Sequence, residues 1–173
     1  MLIVACTHEV HAESILGILN EAIENSTAIY DYRPRPLSSM ENWFRTKAAG
    51  EFPVVGVESE EGQLLGFASY GTFRGWPAYK YTVEHSVYVH RNHRGQGLGL
   101  KLMRELIAVA RAQERHVLVG GVDAANEASI ALHRKLGFVH AGTIEQAGFK
   151  FGRWLDLAFY QLTLETPLTP IDG

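Results

Sequence analysis

Three glycines at alternate positions, Gly95, Gly97 and Gly99, form a loop that follows a short apolar strand and opens an amphipathic helix. Glycines leave the backbone N–H groups of such a loop uncovered, and uncovered N–H groups at the start of a helix attract a phosphate. Arg94, immediately before the loop, adds a full positive charge that can pair with the anion. The spacing therefore predicts a phosphate site where the strand meets the helix.

Three familiar nucleotide-binding loops fit this stretch poorly. A P-loop needs Lys-Ser or Lys-Thr directly after its last glycine, whereas Gly99 is followed by Leu-Lys-Leu. The dinucleotide fingerprint G-x-G-x-x-G lacks its third glycine at the required step. A protein-kinase loop lies in a hairpin and does not precede an amphipathic helix. A glycine turn with a solvated basic rim is the remaining alternative to a phosphate site.

An isolated carboxylate lies in the strand before this loop. Glu84 is the one acid between Tyr81 and Val89, and its neighbours are largely aromatic or apolar. Desolvation by such neighbours raises the pKa of a carboxyl towards the working range of a general base. Taken alone, the residue fits an exposed glutamate at a strand edge at least as well.

The stretch Arg94-x-x-Gly97-x-Gly99 resembles the signature of the GNAT superfamily of acyltransferases, which bind acyl-coenzyme A. The segment NEASIALHRKLGF, residues 126–138, resembles the next motif of that superfamily. Nearly the whole chain, from about residue 3 to residue 164, is similar to the phosphinothricin and methionine-sulfoximine N-acetyltransferase group. The segments NEAIENSTAIYDYRPR, VEHSVYVHRNHRGQGLG and AGFKFGRWLD also carry that resemblance.

The resemblance implies direct transfer of the acetyl group of acetyl-CoA to the α-amino group of a small amino-acid analogue. Methionine sulfoximine, methionine sulfone and phosphinothricin are the implied acceptors. Glu84 is the implied general base, acting directly or through a water. His133 joins it in the catalytic set, at a position where many members have a tyrosine that protonates the leaving thiolate. The implied coenzyme-binding residues are Val87, Tyr88, Val89, Arg94, Gly95, Gln96, Gly97, Leu98, Gly99 and Asn126.

The irregular segment before the catalytic strand supplies a candidate pocket for the amino acid. Arg74 can bind a carboxylate with two parallel hydrogen bonds, and Phe73, Trp76 and Tyr79 can form apolar walls. Arg33 and Arg35, on a proline-rich loop, are second candidates for the cation. The predicted substrate-binding residues are Phe73, Arg74, Gly75, Tyr79, Val83, Glu84 and His85.

Two other functions remain open at this point. The acceptor could be a different amine, such as a polyamine, an aminoglycoside or a protein N-terminus. A polycationic acceptor favours an acidic pocket, whereas the segment before the strand carries Arg74 and Lys80 and no acid. The other alternative is a non-catalytic coenzyme A-binding module, which would not require the acid in the strand.

The elements that position these residues follow the order β-α-α-β-β-β-α-β-α-β-β. Short turns between consecutive strands favour antiparallel pairing, and residues 87–122 form one β-α-β crossover, which requires a parallel pair. We expect a single-domain, GNAT-like α+β fold: a mixed, mostly antiparallel twisted sheet with helices on both faces. The domain should span residues 1–166, with a loose tail at 167–173. The pair Gly120-Gly121 inside a strand predicts a bulge or the close approach of another backbone.

Composition narrows the class of protein. The 173 residues are 46% apolar with a formal net charge of −3, which gives no reason to expect nucleic acid or an anionic membrane as a partner. The single cysteine, Cys6, cannot form an internal disulfide and lacks a partner for nucleophilic catalysis. No signal peptide or membrane-spanning stretch is evident, which predicts a cytoplasmic protein.

Metal and subunit partners can also be predicted. Among the eight histidines, His90 and His93 are a close pair, and no carboxylate or cysteine stands beside them, so no metal is expected. A small-molecule amino acid is the expected partner of the site. The resemblance adds a homodimer, in which the late loop containing Lys150, Arg153 and Trp154 could serve the neighbouring subunit's site.

Overall fold

The computed structural model describes residues 1–172, and its elements alternate in the predicted order. The helices are α1 (His8–Asn25), α2 (Ser39–Ala49), α3 (Leu98–Ala112) and α4 (Glu127–Lys135). The strands are β1 (Leu2–Ala5), β2 (Val54–Glu58), β3 (Leu64–Thr72), β4 (Thr82–Val89), β5 (Val117–Asp123), β6 (Val139–Lys150) and β7 (Arg153–Thr163). They form a mixed sheet in the order β1-β2-β3-β4-β5-β7-β6, which confirms the α+β prediction.

The chain divides into two compact units, and β4 contributes its first half to one and its second half to the other. The first unit comprises residues 1–70 and 86–106. In it β2 pairs antiparallel with both β1 and β3, with Leu2 opposite Glu58 and Val54 opposite Ser69. Apolar residues of α1 recur every three or four positions, so that Ile15, Leu19 and Ile23 form one buried face in the core of this unit.

The second unit comprises residues 71–85 and 107 onwards. In it β4 pairs with β5 in parallel, with Glu84 opposite Val119, as the crossover between these strands predicts. The antiparallel register of β5 with β7 runs without interruption from Val117 opposite Thr163 to Asp123 opposite Leu157. This regular pairing places successive side chains of β5 on alternate faces of the sheet.

The predicted tail makes at least one contact with the second unit. The Ile171 backbone N–H donates a hydrogen bond to the Tyr81 hydroxyl at 3.2 Å. The last residue of the predicted tail, Gly173, lies outside the described residues. The domain boundary at residue 166 therefore stays a prediction.

Candidate active site

The glycine loop of the first unit has the backbone that a phosphate site requires. Gly95 and Gly97 have φ values of +77° and +78°, in the left-handed region that favours glycine. α3 begins at Leu98, and its first turn contains no acidic residue. Because the first N–H groups of a helix have no partner within the helix, the partial positive charge at this end is not offset. The loop therefore fits a bound phosphate.

The other predicted coenzyme contacts in the first unit lie next to this loop. Val87, Tyr88 and Val89 end β4 and are all half-buried, while Gln96 is exposed. Leu98 differs from its neighbours because its side chain is buried, so only its backbone can serve a ligand. Residues 87–99 thus run from the end of β4 through a turn to the start of α3.

Arg94 is already engaged within the first unit. Its Nε–H donates to the Val89 carbonyl at 3.2 Å, and a terminal nitrogen of the guanidinium forms an ion pair with the Glu21 carboxylate of α1. The sequence motif predicted that Arg94 adds a positive charge for the phosphate. The structure instead shows a cation whose charge is shared with a carboxylate from a helix 73 residues away in the chain.

Asn126, the remaining predicted coenzyme contact, lies in the second unit and caps α4. Its side-chain oxygen accepts a hydrogen bond from the Ser129 backbone N–H at 3.1 Å. The cap occupies the oxygen and leaves the amide nitrogen as the atom for donation to a ligand.

The acceptor segment, residues 73–79, also lies in the second unit. The rings of Phe73 and Tyr79 meet edge to face with centroids 5.6 Å apart, and the Arg74 guanidinium lies 5.4 Å from the Phe73 ring centroid. Arg74 and Gly75 are exposed. Stacking on an aromatic face orients a guanidinium without using its N–H donors, which stay available for a carboxylate. By contrast, the Nε–H of Arg35, one of the two second candidates, donates to Asp31 at 2.8 Å.

Glu84 combines exposure with a perturbed pKa. The residue is exposed, so its apolar neighbours in sequence do not bury it. Partial desolvation nevertheless raises the pKa of its carboxyl, and the positive charge of Arg74 opposes this rise. Its Oε1 lies 3.6 Å from the position that a Cβ would occupy at Gly121. The carboxylate therefore faces the side of β5 on which Gly121 presents no side chain.

Behind this carboxylate the second unit contains two buried histidines in direct contact. The Nε2 atoms of His85 and His133 lie 2.9 Å apart, and the Nδ1 of His133 lies 2.7 Å from the Ser129 carbonyl oxygen. Burial lowers the pKa of both imidazoles, and a neighbouring imidazole adds to this effect at His85. We call this hydrogen-bonded pair the histidine bridge.

The predicted bulge at Gly120-Gly121 is wrong, and the glycines have a different purpose. A Cβ at Gly120 would lie 2.8 Å from the Nε2 of His133 and 2.8 Å from the Cε1 of His85, closer than a carbon can approach. The register of β5 with β7 passes through both glycines without a shift. Gly120 therefore makes room for the histidine bridge on one face, while Gly121 borders the Glu84 carboxylate on the other.

The structure separates three predicted site residues from Glu84. Glu84 and His85 are successive residues of β4, so their side chains point to opposite faces. His85 and His133 lie on the Gly120 face, and the Glu84 carboxylate lies on the Gly121 face. His85 is buried against His133 and Phe138, and Val83 is also buried, as alternation along β4 requires. Contacts of His85 and Val83 with substrate, and proton transfer by His133, thus gain no support from this geometry.

The sequence contained a weak signal for the histidine bridge. A histidine at a core-facing position of a strand, another late in an amphipathic helix and a glycine in the neighbouring strand are all visible in the sequence. Their meeting across 48 residues is a tertiary contact, which no local spacing predicts.

Other groups in the structure bear on covalent and metal chemistry. Burial, assisted by the Glu58 charge, raises the pKa of the Cys6 thiol to about 12, so the thiol is protonated at neutral pH and a poor nucleophile. Among residues 1–172 no group of three or more His, Cys, Asp or Glu side chains could hold a metal ion. Within the same residues no helix has both the length and the apolar character to cross a bilayer.

Sequence comparison finds one family model and several named proteins that are similar to this chain. The sequence profile described as "Acetyltransferase (GNAT) family" matches residues 16–138. An L-methionine sulfoximine/L-methionine sulfone acetyltransferase of Pseudomonas aeruginosa is 48% identical over 151 residues, which cover 87% of this chain and 88% of that protein. A phosphinothricin N-acetyltransferase of Streptomyces viridochromogenes is 33% identical over 159 residues, 91% of this chain and 85% of that protein.

Two solved structures share the whole fold. A putative acetyltransferase from Acinetobacter baylyi superposes with a TM-score of 0.98 at 63% identity, covering 99% of this chain and 96% of the other. A putative acetyltransferase from Salmonella typhimurium, solved with its cofactor acetyl-CoA, superposes with a TM-score of 0.93 at 40% identity, covering 99% of this chain and 98% of the other.

Proposed function

This chain belongs to the GNAT family of acetyltransferases, and we propose that it acetylates the α-amino group of a small amino-acid analogue with acetyl-CoA. Methionine sulfoximine, methionine sulfone and phosphinothricin are the proposed acceptors, by analogy with the relatives named above. The observation that carries the proposal is Glu84, an accessible carboxyl with a raised pKa beside a stacked arginine. A base for an ammonium group and a cation for a carboxylate are the two groups that an α-amino acid requires.

Different residues have different roles in the proposed reaction. Glu84 removes a proton from the ammonium group, directly or through a water, because an amine is a nucleophile only when neutral. Arg74 binds the carboxylate of the acceptor, with Phe73 and Tyr79 beside its side chain. The amine then attacks the thioester carbonyl carbon, the carbon–sulfur bond breaks, and coenzyme A leaves as a thiolate that takes up the second proton lost by the nitrogen.

Backbone groups supply the remaining contacts with acetyl-CoA. The N–H groups of residues 95–99 and the start of α3 would bind the pyrophosphate, with Arg94 as a shared cation. An N–H near Tyr88 and Val89 would polarise the thioester carbonyl, and strand-like hydrogen bonds from Val87 to Val89 would hold the pantetheine arm. Asn126 would orient that arm through its amide nitrogen.

A thiol-release assay with a panel of acceptors tests this proposal. Free coenzyme A should appear with methionine sulfoximine, methionine sulfone and phosphinothricin. It should appear far more slowly with a polyamine or an aminoglycoside, because residues 73–80 carry Arg74 and Lys80 and no acid. It should also appear far more slowly with a peptide that begins with alanine, because the first residue of a peptide has no free carboxylate for Arg74. Faster release with any of the second group would overturn the proposed acceptor class.

Glu84→Gln tests the base. Loss of a general base should lower kcat by about 10²- to 10⁴-fold while the affinity for acetyl-CoA stays the same. Glu105→Gln is the matched control, since Glu105 is an exposed residue of α3 and the substitution makes the same charge change. An equal kcat for Glu84→Gln and the control would refute the assignment of Glu84.

We also propose that the enzyme is a cytoplasmic homodimer. Support for the dimer comes from the β6–β7 hairpin, where Phe149, Phe151 and Trp154 expose 46%, 58% and 59% of their surface. Aromatic side chains clustered at one end of a hairpin are typical of a surface that another protein covers. Sedimentation should give twice the chain mass, and Trp154→Glu should halve it, whereas Trp76→Glu, a change at an exposed tryptophan outside the hairpin, should not.

A further inference from the structure

The protonation of the histidine bridge follows from its hydrogen bonds. A backbone carbonyl can only accept, so the contact of His133 with the Ser129 oxygen requires a proton on Nδ1 of His133. Neutral His133 then has an unprotonated Nε2. The 2.9 Å contact between the two Nε2 atoms needs one donor, and that donor is the Nε2–H of His85. The Nδ1 of His85 is then unprotonated, and it is buried without a hydrogen-bond partner. Burial lowers the pKa of both rings and so favours the neutral forms, in which the two histidines are opposite tautomers.

Other side chains pack closely around the imidazole rings of His85 and His133. His85 and His133 each have a ring centroid about 5 Å from that of Phe138, at 5.0 Å and 5.1 Å respectively, and Tyr160 lies 6.0 Å from His133. On the remaining side Gly120 supplies the only residue type whose side chain would not overlap the rings. Close packing of this kind holds each imidazole in one orientation.

The hydrogen bonds of the bridge continue into the start of α4. The Ser129 carbonyl accepts from His133, and the Ser129 N–H donates to the side-chain oxygen of Asn126. At the other end His85 is the residue directly after Glu84 on β4. A single chain of hydrogen bonds thus links the backbone beside the proposed base to the side chain proposed to orient the coenzyme.

We propose that His85 and His133 are positioning residues: a neutral hydrogen-bonded bridge that fixes the Glu84 backbone relative to α4 and Asn126. The proposal rests on the proposed function, because it assigns the bridge an effect on acetyl transfer through Glu84. The bridge itself touches no reacting atom, since the Glu84 carboxylate lies on the opposite face of β4 and β5. A displacement of about 1 Å between a base and its substrate can reduce a rate by about a hundredfold.

Imidazole nitrogen NMR on the unmodified protein tests the bridge itself. Spectra at neutral pH should show His133 protonated at Nδ1 and His85 protonated at Nε2. This result does not depend on any enzymatic activity. A cationic ring at either position, or two identical tautomers, would overturn the bridge.

A double-mutant cycle between the bridge and the base tests positioning. His133→Phe keeps the ring volume and removes the hydrogen bonds, and we expect it to lower kcat about ten- to a hundredfold in the wild-type background with little change in the Kd of acetyl-CoA. In the Glu84→Gln background the same substitution should change kcat by less than about twofold, since the base through which it acts is absent. His133→Gln, which can still accept from His85, should recover part of the activity.

The outcomes separate this proposal from the function on which it rests. An equal fall of kcat for His133→Phe in both backgrounds would show that His133 acts independently of Glu84, as a proton donor would, and would overturn the positioning role. No fall of kcat for Glu84→Gln itself would refute the proposed base instead, and the tautomers measured by NMR would be unaffected. If His133→Phe does not fold, His85→Phe serves in the same cycle with the same expected result.

Discussion

The phosphate loop and the histidine bridge both depend on glycine, for opposite physical reasons. At Gly95 and Gly97 a Cβ would meet nothing within 4 Å, but φ is positive. At Gly120 the backbone is that of an ordinary strand, but a Cβ would lie 2.8 Å from two imidazole rings. The loop glycines thus supply a conformation, whereas the strand glycine supplies space. Only the first purpose is local, which is why a sequence motif reveals it.

The largest effect that tests this contrast should come from Gly120→Ala. The added methyl must displace the rings of His85 and His133, and overpacking of this kind costs about 1–3 kcal/mol of unfolding free energy. If the bridge positions Glu84, kcat should fall as well, with little change in acetyl-CoA affinity. Chemical denaturation and steady-state kinetics measure the two effects. Full stability and full kcat would show that Gly120 is not needed for space.

Acid should lower the stability that the histidine bridge contributes to the folded protein. The folded protein holds His85 and His133 with pKa values below the ordinary 6.5, while the unfolded chain does not. As pH falls below 6.5, the unfolded chain takes up these protons first, so the stability that is present above pH 6.5 is lost. The loss is at most about 1.4 kcal/mol per pH unit for each histidine.

Thermal denaturation between pH 7 and pH 5 measures that loss. The slope of the unfolding free energy against pH should be shallower in the double variant His85→Phe, His133→Phe than in the wild type. Equal slopes would mean that the bridge is not the acid-sensitive element.

Gly97→Ala should have a smaller effect on stability and a different effect on function. An alanine at a φ of +78° costs roughly 1–2 kcal/mol, because its Cβ crowds the backbone in that region. The strain should distort the N–H groups of the loop, so the KM for acetyl-CoA should rise while kcat is largely retained. Gly120→Ala should show the reverse split between KM and kcat. The same split in both variants would remove the distinction between the two regions.

The smallest expected effect concerns the ion pair at the loop. Glu21→Gln removes the carboxylate that shares Arg94, so the guanidinium becomes free for the pyrophosphate and the Kd of acetyl-CoA should fall by a few-fold. The change in Kd should be small because an ion pair near the surface contributes only about 0–1 kcal/mol. Glu24→Gln, an exposed residue of the same helix, makes the same charge change and serves as the control in calorimetry. Weaker binding by Glu21→Gln would mean that Glu21 orients Arg94 for the phosphate.

Glu84 shows how far a single residue can be interpreted from sequence. Its apolar neighbours correctly predicted the direction in which its pKa moves. They did not predict its exposure, because successive strand residues point to opposite faces and the side chains of Val83 and His85 face away from it. Gly121, in the adjacent strand β5, borders the Glu84 carboxylate and contributes no side chain to cover it.

The sequence by itself determined the order of the elements, the parallel pairing of β4 with β5 and the glycine loop at the start of α3. These features depend on periodicity, turn residues and backbone conformation, which act over a few residues. Only the tertiary structure decided the pairing of His85 with His133 across 48 residues, the sharing of Arg94 with Glu21 across 73 residues, and the purpose of Gly120. Each of these depends on which side chains meet after the chain has folded, and no local pattern of residues specifies that meeting.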